Sequence, residues 1–145
     1  MTPEDRERLE AIEPSHLMAL TVYGEARGEP IEGKIAVAHV INNRIQDNRW
    51  PDTLIGVVLQ PKQFSCWNDD DPNSKVLIRK SKQGVFYDMA FDWKECMYAS
   101  HGVIARYLRD NTFGANHYHT QSVSPYWADK MQKTIEIGHH IFYRG

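Results

Sequence analysis

Gly28 and Pro30 stand two positions apart between two stretches of helical periodicity, so the segment from Ser15 to Gln46 must fold as two helices with a sharp break. Upstream, SHLMALTVYGEAR begins at Ser15, a residue suited to N-capping, and sets Leu17, Leu20, Thr21 and Gly24 along one side. Downstream, Pro30 suits the first turn of PIEGKIAVAHVINNRIQ, where Ile31, Ile35, Ala38, Ile41 or Asn42, and Ile45 recur at helical spacing.

The remaining chain continues mostly helical. WPDTLIGVVLQP reads as a short helix bounded by prolines, capped by Asp52 or Thr53; KQFSCW reads as extended and NDDDPNS as a loop. The longest regular segment, DMAFDWKECMYASHGVIARYLRD, has Trp93, Met97, Ser100, Ile104, Tyr107 and Leu108 as its inward stripe and ends at Asp110-Asn111. ANHYHT and TIEIGHHIFY are β-rich, with a turn or short helix around SPYWADKMQ between them. The sum is an α+β chain, mostly helical with a small β element near the C-terminus. Residues 1–16 read as a polar lead-in and 17–145 as a single domain, since 145 residues suffice for one core.

Charge and hydropathy narrow the function classes. A net charge of −2 supplies no basic field to gather phosphates, so nucleic acid is not an expected partner. No run of about 18 apolar residues is present to insert stably in a bilayer. The acidic start MTPEDRERLEAIEP lacks the charged and apolar pattern of a secretion signal, so synthesis in the cytosol is expected. Cys66 and Cys96 read as buried free thiols.

Two glutamates flank the break. Glu25 sits near the C-terminal end of its helix, where the negative end of the macrodipole disfavours an ionised carboxylate, and a protonated carboxyl is what a general acid requires. Gly24 beside it costs the helix about 1 kcal/mol relative to Ala, and the absence of a side chain would let a ligand lie against the backbone. On spacing alone, Glu25 could equally be solvated or paired with Arg27 or Lys34. Glu29 precedes a proline and is set toward extended backbone, where it could hold Arg27 or orient the loop.

The segment VYGEARGEPIEGKIAVAHVINNR resembles the opening motif of the SleB-like cell-wall hydrolases, the family of spore-cortex-lytic enzymes and related phage and bacterial peptidoglycan-cleaving domains. The likeness continues through WPDTLIGVVLQPKQFSCW and resumes at GANHYHTQSVSPYWADKMQKTIEIGHHIFY, covering Leu17 to Tyr143. The resemblance implies a lysozyme-like cleft that cuts the glycan strand between N-acetylmuramic acid and N-acetylglucosamine, with Glu25 as the acid. Several members are lytic transglycosylases, in which one carboxylate serves as acid and then base and 1,6-anhydromuramic ends form without water. A true muramidase would want a second carboxylate about 5–9.5 Å away; Glu29, Asp69 and Asp70 are the candidates, and a non-catalytic wall-binding module is the reading outside enzymology.

Other residues of the matching segments could line a glycan groove. Gln63, Phe64 and Ser65 follow a proline-ended helix and offer an amide, a ring and a hydroxyl. Asn116, His117 and Tyr118 lie on the β element, and Trp127 could stack on a pyranose ring or serve as a core anchor. His117, His119, His139 and His140 invite a metal reading, but no His-Glu-x-x-His helix or short-spaced cysteine pair accompanies them, so neither metal nor other cofactor is expected. The glycan strands of peptidoglycan are the expected partner of a monomer. A phage-type lysin released through a pore made by another protein fits the acidic start better than a spore enzyme.

Overall fold

In the computed structural model, which describes residues 1–84 and 90–145, the chain opens with helix α1 (Pro3–Ala11) and runs through α2 (Pro14–Ala26) and α3 (Ile31–Ile45), parted at Gly28 and Pro30. Gly28 takes φ +85°, the left-handed conformation that lets the chain leave one helix and enter the next. Thr2 caps α1 by accepting the Asp5 N–H, and Leu9, in an otherwise polar helix, is buried in the core. α2 starts earlier than Ser15: Pro14 occupies its first turn and Glu13 precedes it without a side-chain cap, so proline geometry rather than a serine hydroxyl sets this start. α2 and α3 are buried on most sides, from His16 to Val22 and from Ala36 to Ile41, which is wider than a single amphipathic stripe.

α4 (Leu54–Val58) is capped by Thr53, whose Oγ1 accepts the Gly56 N–H at 3.1 Å. KQFSCW is not extended: Lys62 has φ 64° and Ser65–Trp67 form a 3-10 turn. The Trp67 indole N–H donates to Thr21 Oγ1 at 3.0 Å, drawing this turn onto α2. The polar run after it ends in a helix start, because Asp71 accepts the Asn73 N–H at 2.8 Å and Pro72 takes the first position of α5 (Pro72–Ser81).

α6 (Phe91–Ile104) is shorter than the periodicity implied, and the start read at Asp88 and Met89 lies outside the described residues. Trp93 and Ser100 are buried as expected, and Met97 and Leu108 pack on the core, but Ile104 and Tyr107 are exposed. The reason is local: the helix stops at Ile104, Arg106 turns the chain at φ 66°, and the Leu108 N–H bonds back to the Gly102 carbonyl at 3.2 Å. A Cβ on Gly102 would stand 2.3 Å from Leu108 Cδ1, so this fold-back needs glycine there.

The C-terminal part forms an antiparallel sheet of β1 (His117–Thr120), β2 (Gln132–Ile137) and β3 (His140–Arg144), in the order β1-β3-β2. Tyr118 pairs with Phe142 across β1 and β3, and Ala128–Lys130 make a 3-10 turn before β2. α2 lies at the centre, packed by α3, α5 and α6. Cys66 and Cys96 are free, buried thiols. Among the described residues no helix is long and apolar enough to cross a membrane.

Candidate active site

Glu25 is the penultimate residue of α2, and its carboxylate is held at both oxygens. Oε2 accepts the backbone N–H of Cys66 at 3.2 Å, and Oε1 accepts a short hydrogen bond from the Tyr118 hydroxyl. The first donor comes from the turn after α4, the second from β1, so helix end, turn and sheet converge on one side chain. A cleft of about 350 Å³ opens here. Arg44, Gln63, Phe64 and Ser65 line one part of it, and Tyr118, Thr120, Val123 and His140 another.

Gly24 lines the cleft as expected, and its missing side chain also answers a constraint inside the protein. A Cβ there would stand 2.6 Å from Cys66 Cβ, 2.8 Å from its Sγ and 2.9 Å from Leu77 Cδ1. What lies close to this glycine is therefore the protein's own chain, and the close approach is what brings the Cys66 N–H within reach of Glu25. The Cys66 thiol is pushed well above its ordinary range by burial and then by the Glu25 charge, so it stays protonated and unreactive. Burial also pushes the Tyr118 hydroxyl well above the usual tyrosine range, and the Glu25 charge adds to it; Tyr118 is neutral when it meets the carboxylate.

Arg44 is buried yet charged. Its Nε donates to the Asn116 carbonyl at 2.8 Å and its Nη1 to Gln63 Oε1 at 3.2 Å, tying α3 to the residue before β1 and to the cleft wall. Its guanidinium lies over the Trp50 and Phe64 rings, each 5.3 Å to the centroid.

Glu29 is not among the residues lining the cleft. Its Oε1 accepts the His139 N–H at 2.8 Å and its Oε2 lies 2.7 Å from His139 Nδ1, so it clasps the turn between β2 and β3. His140 Nδ1, buried without a hydrogen-bond partner, lies 3.6 Å from Glu29 Oε1. The loop carrying Glu29 is pinned from behind by Lys34, whose buried Nζ donates to the Glu29 carbonyl (2.7 Å), Asp92 (2.6 Å) and Glu95 (2.9 Å). Asp92 in turn accepts the Gly28 N–H at 3.2 Å.

Of the residues singled out from the sequence, Gln63, Phe64, Ser65 and Tyr118 are thus gathered around Glu25. Glu29 is not, and Asn116, His117 and Trp127 lie off the cleft lining. Asn116 is buried, its side chain bonded to Gly145. His117 and Trp127 join His119 and Tyr143 in an aromatic cluster, with His117 and Trp127 centroids 5.1 Å apart. Asp69 and Asp70 border a separate hollow with Gln60, Pro61 and Arg6. Glu25 is the one carboxylate lining the cleft among the described residues. Arg44 went unnoticed in the sequence, although an arginine three residues after Ile41 on the buried side of α3 was a signal for it, and His140 was weighed as a metal ligand rather than as a cleft residue. Among the described residues no group of three or more His, Cys, Asp or Glu side chains could hold a metal ion.

Known proteins share this architecture. A family model described as Cell Wall Hydrolase matches residues 28–143, beginning three positions after Glu25. The spore cortex-lytic enzyme of Oceanobacillus iheyensis is 51% identical over 64 residues, which is 41% of this chain and 23% of that protein; that of Bacillus subtilis is 47% identical over 53 residues, 37% of this chain and 17% of that protein. The matched stretch is thus under a quarter of either relative. Among solved structures, the catalytic domain of the Bacillus cereus SleB protein superposes with a TM-score of 0.66 at 29% identity, covering 90% of this chain and 89% of that one. The catalytic domain of the germination-specific lytic transglycosylase SleB from Bacillus anthracis gives 0.65 at 26% identity, covering 99% and 97%. The mostly helical fold with its small C-terminal sheet is that of the SleB catalytic domain.

Proposed function

The chain belongs to the Cell Wall Hydrolase family, and from that premise we propose that it cleaves the glycan strand of peptidoglycan between N-acetylmuramic acid and N-acetylglucosamine as a lytic transglycosylase, with Glu25 as acid and then base. The observation that carries this reading is the isolation of Glu25 as the one carboxylate lining the cleft among the described residues, held by one fixed and one adaptable partner. The Cys66 N–H can only donate. The Tyr118 hydroxyl can donate to an ionised Glu25 or accept from a protonated one, so the pair survives both halves of a cycle in which the carboxyl gives up a proton and takes one back.

In the first half Glu25 transfers its proton to the bridging oxygen as the C1–O bond breaks, and the departing sugar leaves with a hydroxyl. In the second half the Glu25 carboxylate removes the proton from the muramoyl C6 hydroxyl, whose oxygen closes on C1. One bond is broken and one formed, Glu25 regains its proton, and no water is consumed. The buried Arg44 orients Gln63, whose amide, with the exposed Ser65 hydroxyl, offers hydrogen bonds to sugar hydroxyls and N-acetyl groups. A hydrolytic pair is disfavoured because Glu29 is occupied by the β2–β3 turn and Asp69 and Asp70 border another hollow.

The test is digestion of purified sacculi followed by mass spectrometry of the muropeptides. Wild-type protein should release 1,6-anhydromuramic ends, and Glu25→Gln, which keeps both hydrogen-bond partners in place, should stay folded and release none. Cleavage by the Gln variant would overturn the assignment of Glu25; reducing muramic ends would overturn the transglycosylase reading in favour of a muramidase.

A further inference from the structure

A second, larger groove of about 870 Å³ lies beyond the Glu25 cleft, walled by the C-terminal end of α3, the turn after it, the Phe113–Gly114 loop and the ends of β2 and β3. We propose, resting on the reading above, that this groove receives the stem peptide carried by muramic acid, with Arg144 taking a peptide carboxylate and Phe113 covering the peptide's apolar surface.

Three observations carry it. First, Phe113 holds φ 56° although it is a bulky aromatic residue, and it is 68% exposed. Backbone strain of this kind persists only where the surroundings fix it, and here Asp110 does so. Its Oδ1 accepts from the Thr112 N–H (2.8 Å) and hydroxyl (2.6 Å), and its Oδ2 from the Gly114 N–H (3.1 Å) and Asn43 Nδ2 (3.0 Å). The network spends its bonds on presenting an aromatic ring to solvent, which packing alone would never require.

Second, the groove holds polar groups without internal work. Arg49 is taken up by Asp47 and the Gly145 carbonyl, but Arg144, whose stem lies 3.7 Å from where a Gly114 Cβ would sit, has no ion-pair partner among the described residues. The side-chain amides of Gln46, Asn48 and Gln132 are exposed beside it. An unpaired guanidinium next to free amides and a ring matches a ligand with a carboxylate, a peptide backbone and short apolar side chains.

Third, the groove and the cleft share a wall. Asn116 lines the groove and Tyr118 the cleft; they are two residues apart on the same strand run, about 7 Å. Arg44 bridges the two sites by donating to the Asn116 carbonyl from the cleft side. A peptide branching from a muramic acid seated next to Glu25 would follow this shared wall.

The test uses the full chain and two probes: the free tripeptide L-Ala-γ-D-Glu-meso-diaminopimelate, and glycan strands with or without their stem peptides, the latter stripped by an amidase. The tripeptide should shift amide NMR signals of residues 110–116 and 144, and the wild-type protein should show a KM for peptide-bearing strands about tenfold below that for stripped strands. Arg144→Gln and Phe113→Gly should each erase most of that preference. Phe113→Gly should at the same time leave thermal stability equal or higher, because glycine adopts the φ that phenylalanine strains to hold. Equal KM values for the two strands in the wild type, or a Phe113→Gly variant that loses stability and keeps the preference, would overturn the proposal. Tripeptide shifts at these residues in a protein that cuts neither strand would leave this site standing and remove the cleavage reading instead.

Discussion

Glu25 depends on neighbours that are far from it in sequence, and its chemistry can be tested through them one at a time. Removing the Tyr118 hydroxyl by Tyr118→Phe leaves the ring on Phe142 and His140, with centroids 5.6 and 4.9 Å away, and takes away only the partner of Oε1. Turnover should fall about tenfold to a hundredfold with thermal stability nearly unchanged, the size expected for losing one hydrogen bond to a charged group at the reacting centre; steady-state rates on sacculi beside a melting curve check this. Gly24→Ala acts on the other partner. Its methyl would collide with Cys66 and Leu77, which should cost about 1–3 kcal/mol in denaturant titration and displace the Cys66 N–H from Oε2. At this scale the sequence singled out the carboxylate that lines the cleft and read Gly24 as cleft floor, which the lining bears out, but it gave no sign of Cys66 and Leu77 pressed against the same glycine, because a glycine says that something approaches closely without saying what.

Among the elements, the loop between α2 and α3 is secured by a buried cation rather than by packing. Hydrogen bonds to Asp92 and Glu95 outweigh the burial that would lower Lys34 and hold it above the ordinary lysine value. The Lys34 ammonium, with the Gly28 N–H, holds Asp92 below its own. The Lys34 contribution is thus complete below the lysine's unfolded value and lost as pH rises through the raised one. The Asp92 contribution is complete above the unfolded aspartate value and lost as pH falls through the depressed one. Lys34→Met should cost about 3 kcal/mol, because it strands the carboxylate of Glu95 against the core. Asp92→Asn should flatten the fall in stability below about pH 4, as read from urea titrations across that range. The helices α2, α3 and α4 were legible from their periodicity and their breakers, and of Asp52 and Thr53, the two caps read for α4, Thr53 is the one used. α5 was not, because NDDDPNS reads as a loop by composition, whereas Asp71 caps and Pro72 begins a helix whose Leu77 is buried in the core.

For the molecule as a whole, acid sensitivity follows from where its histidines lie. Burial lowers His16, His39 and His140, and it lowers His117 to about 4, with the positive Arg44 and Arg49 adding to the effect. Each of these folded values lies below the unfolded one, so the stability they contribute is complete above about pH 6.5 and declines as pH falls below it. The melting temperature should therefore drop between pH 6.5 and 4, and His117→Gln should make that drop shallower. The sequence spoke against metal only through the missing companion motifs and gave no hint of the ring contacts: His119 stacks on Tyr143, and His117 packs edge-on to Trp50 and tilted on Trp127. The α+β class and the C-terminal sheet were readable because β-branched and aromatic residues concentrate there. The meeting of that sheet with the end of α2 was not readable, since it is set by contacts 93 residues apart such as Tyr118 to Glu25.

The central claim is that one carboxyl group both donates and recovers the proton, so that water never enters the product. Digesting peptidoglycan in water enriched in oxygen-18 and weighing the new muramic ends measures this directly. The account predicts ends lighter than reducing muramic acid by one water and free of the heavy isotope; reducing ends carrying one oxygen-18 would contradict it.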